Sequence, residues 1–315
     1  MLNQIPSESR CRTLVRRAAF GTRPHCPRCG SSRVRRSEGR YRCPRCRRPF
    51  SATSASWLSC MKVTYRQLWT LLLCWQRRYP FGVAVEVSGL SHVTVRRWYR
   101  RFRYNLVYES PQLSGTVEVD ESFLGRRKTG NQRIAIGAWC RDTRKIVVRR
   151  IPNRMQETTD RFLLEHVVRG SIVCTDGAQF YEGIDSFFGY QHVTCNHSEF
   201  HFGPTNLAEC IWSMLKRFIR RTWHHFRNRH WLPTFLREFE ARFNAPELFD
   251  SPLTYLQTCL AAVPSRVQYT SGGDTRVRQG LRRCTVSPVC QDQHCQPQRR
   301  CVSAGTVRWR RRGEP

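Results

Sequence analysis

The chain has 315 residues, and its 54 Lys and Arg residues outnumber its 23 Asp and Glu residues, which gives a formal net charge of +31. Such a charge favours polyanionic partners, nucleic acid first among them, over a role in solubility or at a membrane surface. No run of 18 apolar residues occurs, so we expect no membrane span, and the polar N-terminus does not indicate secretion. The sixteen cysteines are then better explained by metal-bound thiolates in a reducing compartment than by a disulfide framework.

Changes in composition divide the chain into five segments. We expect residues 1–22 to be a short, partly ordered lead and residues 23–56 to be a Cys- and Arg-rich zinc ribbon. Residues 57–110 have the apolar periodicity of helices, whereas residues 111–263 alternate β-branched runs with helical patterns, which predicts alternating strands and helices. Residues 264–315 hold few apolar residues and many Arg, Gln, Ser and Gly, which is typical of a basic disordered tail.

Two CxxC pairs, HCPRCG and RCPRCR, lie thirteen residues apart in the predicted ribbon, with their thiols on Cys26, Cys29, Cys43 and Cys46. Each CxxC turn can present two sulfurs to one ion, so the four thiolates match tetrahedral Zn²⁺. Four sulfur ligands leave no open position for a substrate, so we expect one structural zinc, whose binding supplies folding free energy to a segment too small for a core. The alternative is a pair of disulfides or redox-active CxxC motifs.

The stretch VAVEVSGLSHVTVRRWYRRFR has the layout of a helix-turn-helix, with a turn at Gly89 and a second helix that starts near Ser91, a good N-cap residue. A recognition helix directs its first turn at bases and its cationic side at phosphates. The side chains that we expect to contact DNA are Thr94, Arg96, Arg97, Arg100 and Arg101. The alternative is an ordinary basic amphipathic helix.

Three carboxylates in this basic chain stand out because they lie in apolar segments. Asp120 is embedded in the predicted strand TVEVDESF, Asp176 ends the predicted strand SIVCTDG, and Glu209 lies on the helix that follows. Buried carboxylates need hydrogen bonds, cations or metal, and these three together are predicted to hold two Mg²⁺ ions, with Mn²⁺ as a substitute. Taken singly, Asp120 could be a salt-bridge partner and Asp176 a turn former. Glu118 shares the strand face of Asp120, so a shift of register is an alternative, whereas Glu121 points the other way.

The helix NLAECIWSMLKRF carries two distinct stripes. The predicted apolar face consists of Leu207, Cys210, Ile211, Met214 and Phe218. The predicted polar stripe consists of Asn206, Glu209, Ser213, Lys216 and Arg220. The stripe is either a solvated helix face or the side of the helix that meets a catalytic site.

The segments CPRCG, RCPRC, VEVDES, VCTDG and TNLAECIWSMLKR, together with the helix-turn-helix, resemble the DDE transposases of bacterial insertion sequences that carry an N-terminal zinc ribbon and an ISXO2-like transposase domain, a group related to eukaryotic Merlin elements. The resemblance implies an α/β fold: an RNase H-like mixed sheet with flanking helices, preceded by the small zinc ribbon and the helical helix-turn-helix domain. It also implies that Asp120, Asp176 and Glu209 are the catalytic acids. Lys216 matches the basic residue that follows the third acid, and Asn206 matches a further motif position.

The resemblance further implies a DNA transposase that binds the terminal inverted repeats of its element and catalyses Mg²⁺-dependent strand cleavage and strand transfer. Its partners would be double-stranded DNA, both element ends and target, and further copies of itself in a synaptic complex. It would act in the cytoplasm beside the nucleoid of a bacterium, or in a eukaryotic nucleus. Two rivals remain, a non-catalytic sequence-specific DNA-binding protein and a nuclease or resolvase without strand transfer.

Overall fold

The computed structural model of the protein describes seven stretches of the chain, with the side chains of Asn206, Thr222 and Ala261 excepted. They are residues 5–37, 39–54, 56–125, 130, 132–194, 206–222 and 231–261. The predicted basic tail at 264–315 lies outside the described residues. No helix within them is long and apolar enough to cross a membrane.

The N-terminal part of the described chain is a helix followed by three short antiparallel strands. These elements are α1 (Glu8–Phe20), β1 (Arg35–Ser37), β2 (Arg40–Arg42) and β3 (Pro49–Phe50). Residues 1–22, expected to be a partly ordered lead, therefore contain a capped helix, because the Ser7 hydroxyl accepts a hydrogen bond from the Arg10 N–H. Cys11, Val15 and Ala18 recur at helical spacing and are buried, which anchors α1 in the helical core described next.

Four helices supply most of the apolar core that also contains α1. They are α2 (Tyr65–Gln76), α3 (Phe81–Ser88), α4 (His92–Tyr104) and, from much later in the chain, α9 (Pro252–Ala261). Trp75, Phe102 and Tyr255 are almost completely buried there, and the Tyr255 hydroxyl donates to the Phe102 carbonyl at 2.7 Å. The helical unit that was predicted to occupy residues 57–110 is thus completed by both ends of the described chain.

The predicted helix-turn-helix is formed by α3 and α4. Gly89 ends α3 in the left-handed conformation (φ 64°), which glycine adopts without the steric cost of a Cβ atom. Ser91 is the N-cap of α4, because its hydroxyl accepts a hydrogen bond from the Thr94 N–H at 3.3 Å. Val95 and Phe102 on the inner face of α4 are buried, so its outer face is left to the cationic residues.

The second part of the fold is built on a five-stranded mixed sheet. Its strands are β4 (Thr116–Leu124), β5 (Arg133–Cys140), β6 (Ile146–Ile151), β7 (Ile172–Thr175) and β8 (Gln191–Thr194). The spatial order is β6-β5-β4-β7-β8, with β4, β5 and β6 antiparallel and with β7 and β8 parallel to β4. β4 is therefore the central strand, and it joins the antiparallel half of the sheet to the parallel half.

Helices cover both faces of this sheet. One face packs against α5 (Gln156–His166), a 3-10 helix (Gln179–Tyr181) and α6 (Ile184–Phe188). The other face packs against α7 (Asn206–Thr222) and α8 (Leu232–Asn244), which a short 3-10 helix at Pro246–Phe249 connects to α9. The expected RNase H-like mixed sheet with flanking helices, preceded by a zinc ribbon and a helix-turn-helix, is confirmed. It places the end of β7 and the start of α7 beside the central strand.

Candidate catalytic and metal sites

The four cysteines of the two CxxC pairs lie together. All four sulfur atoms lie within 4.8 Å of one another, with 3.6 Å between the sulfurs of Cys26 and Cys46 and 3.5 Å between those of Cys29 and Cys43. These distances exceed the S–S bond of about 2.05 Å, and they approach the separation of about 3.8 Å that tetrahedral Zn–S bonds of 2.3 Å produce.

The surroundings of the cysteine cluster also suit a metal. Cys26 and Cys43 are buried; burial raises the pKa of the Cys26 thiol, whereas the backbone N–H of Cys46 lowers the pKa of the Cys43 thiol to about 7. A ring cluster of Phe20, Tyr41 and Phe50 packs beside the cysteines and ties α1 to the small sheet. The donor set of four sulfurs therefore fits one structural Zn²⁺.

The central strand β4 carries three acidic residues with different surroundings. Asp120 is half-buried, and its two carboxylate oxygens accept hydrogen bonds from the Glu121 N–H at 2.7 Å and from the Trp212 indole N–H at 2.9 Å. Glu118, on the same face of the strand, is fully buried. It accepts from Arg141 Nε at 2.6 Å and from the backbone N–H of Ala208 at 3.2 Å. Glu118 is therefore neutralised and caps the start of α7, which leaves Asp120 as the acid open to a ligand.

Asp176 and Glu209 reach the same region from the two neighbouring elements. Asp176 is exposed at the end of β7, where its carboxylate accepts the Ala178 N–H at 3.1 Å. Glu209 is exposed in the first turn of α7. Burial raises the pKa of Asp120 above its usual range, and the negative charges of Asp176 and Glu209 raise it further. The charges of Asp176 and Glu209 are therefore close enough to act on Asp120.

The three carboxylates are not drawn into one tight cluster. Within the described residues, only the cysteines form a group of three or more metal-ligating side chains whose ligand atoms all lie within 4.8 Å of one another. A tight cluster of protein ligands is not required for Mg²⁺, because this ion takes much of its coordination from water and substrate phosphate oxygens.

Helix α7 divides into a buried face and an exposed stripe. The buried residues are Ala208, Ile211, Trp212, Leu215 and Phe218. Leu207 and Cys210, which were predicted to lie on the apolar face, are exposed instead, because the helix is rotated so that Trp212 points at the sheet. The expected polar stripe is exposed at Glu209, Ser213, Lys216 and Arg220. Asn206 begins the helix, but its side chain lies outside what the structure describes.

Trp212 is a site residue that sequence reasoning missed. Its indole N–H donates to Asp120, and its ring lies against Gly137, the residue paired with Asp120 on β5. A Cβ atom at Gly137 would lie 3.0 Å from two Trp212 ring carbons, so a larger residue there would force the indole to shift. The signal in the sequence is the tryptophan of the motif ECIWS, which the predicted apolar face of the helix does not include.

A second missed residue is Tyr181, which lies on the other face of the sheet. Its hydroxyl donates to the carboxylate of Glu121, and the tyrosine side chain is fully buried. Burial raises the pKa of Glu121 to about 7, and the charges of Asp120 and Asp176 contribute to the increase, whereas the Tyr181 hydrogen bond opposes it. Glu121 points away from Asp120, as the strand alternation predicts, yet its charge remains close to both aspartates.

The cationic residues of α4 differ in their availability. Arg96, Arg97 and Arg100 are exposed, and the guanidinium of Arg100 lies 4.0 Å from the centre of the Trp231 ring. Arg101, expected on the side that contacts DNA, is partly buried. Its guanidinium lies 4.6 Å from the centre of the Trp98 ring and donates to the backbone carbonyl of Trp57. The outer face of α4 therefore consists of Arg96, Arg97 and Arg100, together with the half-buried Thr94.

Two family models match the chain. The model of the ISXO2-like transposase domain matches residues 112–244, and the model of the transposase zinc-ribbon domain matches residues 6–49. Together the two matches cover more than half of the chain, and they correspond to the mixed sheet with its helices and to α1 with the cysteine cluster. No curated protein matches the chain.

Among solved structures, the chain is similar to the catalytic core domain of the BIV integrase, with 12% sequence identity over 42% of this chain and 84% of that chain, at a TM-score of 0.32. It is also similar to the HTLV-2 integrase catalytic core domain in complex with magnesium, with 11% identity over 42% of this chain and 87% of that chain, at a TM-score of 0.29.

Proposed function

This chain belongs to the ISXO2-like transposases, and from that premise we propose that it is a DDE transposase that binds the terminal inverted repeats of its element and catalyses Mg²⁺-dependent cleavage and strand transfer. The observation that carries the proposal is the placement of Asp120 on the central strand β4, of Asp176 at the end of the neighbouring strand β7, and of Glu209 in the first turn of α7, the helix that hydrogen-bonds to Asp120. Burial of Asp120 and the nearby charges of Asp176 and Glu209 disfavour its ionised form, and a bound divalent cation would offset both effects.

The acid set fits Mg²⁺, or Mn²⁺ in its place, because these ions take oxygen ligands and are held by a few carboxylates together with substrate phosphate oxygens. Asp120 is oriented by the Trp212 N–H, whereas Asp176 and Glu209 are exposed and accessible to DNA. When bound, the metal stabilises charge on the phosphate and lowers the pKa of an attacking water or hydroxyl group. Asp120 supplies the preoriented carboxylate, and the other two acids complete the ligand set.

We assign the remaining site residues to contacts with DNA. Lys216 lies two turns beyond Glu209 on the exposed stripe of α7, where it would hold a phosphate or base of the element end beside the acids. Asn206 stays a candidate metal ligand beside Glu209. Arg96 and Arg97 on α4 would contact DNA outside the catalytic centre, and the zinc ribbon would support this binding surface. Joining two ends to one target requires synapsis, so the active form would contain at least two copies of the chain.

The test is a cleavage and joining assay with the full chain, Mg²⁺ and DNA that carries the element's own inverted repeats. Asp120→Asn and Glu209→Gln should abolish both steps while DNA binding, measured by gel shift, is retained. Glu157→Gln is the matched control, because this glutamate is exposed on α5 and forms its ion pair with Arg161 in the next turn. Cleavage that survives Asp120→Asn would refute the catalytic assignment. Binding without any cleavage by the wild type would favour a non-catalytic DNA-binding protein.

A further inference from the structure

We propose that Glu121 and Tyr181 form a tether that sets the position of Asp176 relative to Asp120, and that metal binding by these aspartates depends on it. The inference rests on the proposed function, since it assumes that the two aspartates are metal ligands. In this proposal both members of the tether are positioning residues. They contact neither metal nor DNA, and they act through the backbone segments that carry the aspartates.

The first end of the tether is attached to the central strand. Glu121 directly follows Asp120 in β4, and its backbone N–H donates to the Asp120 carboxylate at 2.7 Å. The Glu121 side chain lies on the opposite face of the sheet, where it accepts a hydrogen bond from the Tyr181 hydroxyl. Glu121 pairs with Ile136 of β5, and β7 pairs with β4 earlier in the strand, at Thr116–Glu118, so the strand that carries Glu121 is fixed within the sheet.

The second end of the tether is attached to the segment that carries Asp176. Tyr181 ends the 3-10 helix that begins three residues after Asp176, and its side chain is fully buried. Local hydrogen bonds close the intervening segment: Ala178 N–H donates to the Asp176 carboxylate at 3.1 Å, and Tyr181 N–H donates to the Ala178 carbonyl at 2.9 Å. The Thr159 hydroxyl, in α5, donates to the Phe180 carbonyl at 2.9 Å. A shift of Tyr181 would therefore be passed on to Asp176.

A role in stability alone does not explain why the partner of Tyr181 is a carboxylate. The same core cluster contains Tyr190, which is also buried and whose hydroxyl donates to a backbone carbonyl, that of Val167, at 3.0 Å. A neutral acceptor satisfies a buried phenol without the cost of placing a negative charge beside two other acids. A carboxylate is expected as the partner of Tyr181 if a strong, charge-assisted hydrogen bond holds the segments of Asp120 and Asp176 at a defined distance.

Tyr181→Phe and Tyr190→Phe are a matched pair of variants, because each removes one buried hydroxyl from the same core. We would titrate each full-length, zinc-loaded protein with Mn²⁺ and follow the free ion by its electron paramagnetic resonance signal. We expect Tyr181→Phe to weaken Mn²⁺ binding about tenfold, as is typical for the loss of a group that orients metal ligands. Tyr190→Phe should leave the affinity unchanged. Equal affinities of the two variants would overturn the tether.

Two substitutions of Glu121 keep the test decisive if Tyr181→Phe fails to fold. Glu121→Gln retains an oxygen acceptor for the Tyr181 hydroxyl but loses the charge, so it should bind Mn²⁺ more weakly than the wild type and more tightly than Glu121→Leu, which should weaken binding about tenfold. A loss of binding in Glu121→Gln as large as that in Asp120→Asn would make Glu121 a ligand and overturn the tether. Unchanged binding in Asp120→Asn would instead refute the proposed function, and the tether with it.

Discussion

Arg103 in α4 and Glu238 in α8 form an ion pair with 2.7 Å between Nε and the carboxylate, and both side chains are only 2% exposed. Glu238 also accepts from Arg242 Nε at 2.9 Å, and the Arg242 guanidinium donates to the carbonyls of Trp75 and Gln76. Because α8 packs against the sheet as well, this buried network connects the helix-turn-helix to the domain that carries the acids.

We expect Glu238→Gln to lower the free energy of unfolding by about 3 kcal/mol, because it leaves two buried guanidinium groups without their counter-charge. Urea unfolding followed by circular dichroism measures the change. Glu157→Gln is the control, since it breaks an ion pair of the same kind between side chains that are 66% and 85% exposed, and it should cost less than about 1 kcal/mol. Equal losses in the two variants would show that the buried pair adds no stability of its own.

Gly137→Ala should disturb the catalytic centre without touching any of its charged groups. The added methyl group would lie 3.0 Å from two ring carbons of Trp212 and would push the indole away from Asp120. We expect a loss of about 1–3 kcal/mol in stability from overpacking, together with a loss of DNA cleavage. In Gly82→Ala, the added methyl group meets no atom within 4 Å, so this control should retain cleavage and be as stable as the wild type or more so. Unimpaired cleavage by Gly137→Ala would contradict the orienting role of Trp212.

Substitution Cys43→Ser should release one zinc ion per chain, because the remaining three sulfurs cannot complete a tetrahedral site. Elemental analysis of the purified protein measures the zinc content, and circular dichroism should show that the mixed sheet is retained. Cys60→Ser is the control, since this cysteine is exposed and lies outside the cluster. An unchanged zinc content in Cys43→Ser would place the metal elsewhere in the chain.

The stability of the protein should increase between pH 4 and pH 6.5 through His166. Burial lowers the pKa of this imidazole from 6.5 to about 4, and the charge of Arg149 contributes. In this pH range the unfolded chain binds a proton that the folded state does not, so stability falls as the pH falls. The contribution reaches at most roughly 3 kcal/mol. Urea unfolding of wild type and His166→Gln at pH 4.5 and 7 should show a smaller pH dependence in the variant; identical dependences would contradict this assignment.

Arg97→Ala should weaken binding of the element ends and reduce the slope of log K against log salt concentration by about one, as expected for one lost phosphate contact. Arg97 is chosen because it is exposed on the outer face of α4. Arg161→Ala removes an equally charged, exposed residue from α5, on the opposite side of the sheet from α7. Fluorescence anisotropy at several salt concentrations measures both variants. The same slope in both would mean that α4 contributes only to the general positive charge.

Local patterns were readable from the sequence because they depend on neighbouring residues. CxxC spacing identified the four sulfurs that the structure brings together, Gly89 and Ser91 marked the turn of the helix-turn-helix, and alternation placed Glu121 opposite Asp120. The order of acids that predicted Asp120, Asp176 and Glu209 as metal ligands was likewise visible in the sequence, and the ligand role stays a prediction.

Only the tertiary structure decided the relationships that depend on residues far apart in the chain. It showed that Arg141 and the start of α7 neutralise Glu118, so that Asp120 and not Glu118 remains open to a ligand. It showed the rotation of α7 that directs Trp212 at Asp120, and the packing of α9 against α1. No local pattern encodes these contacts, because each depends on which apolar surfaces meet when the whole chain excludes water.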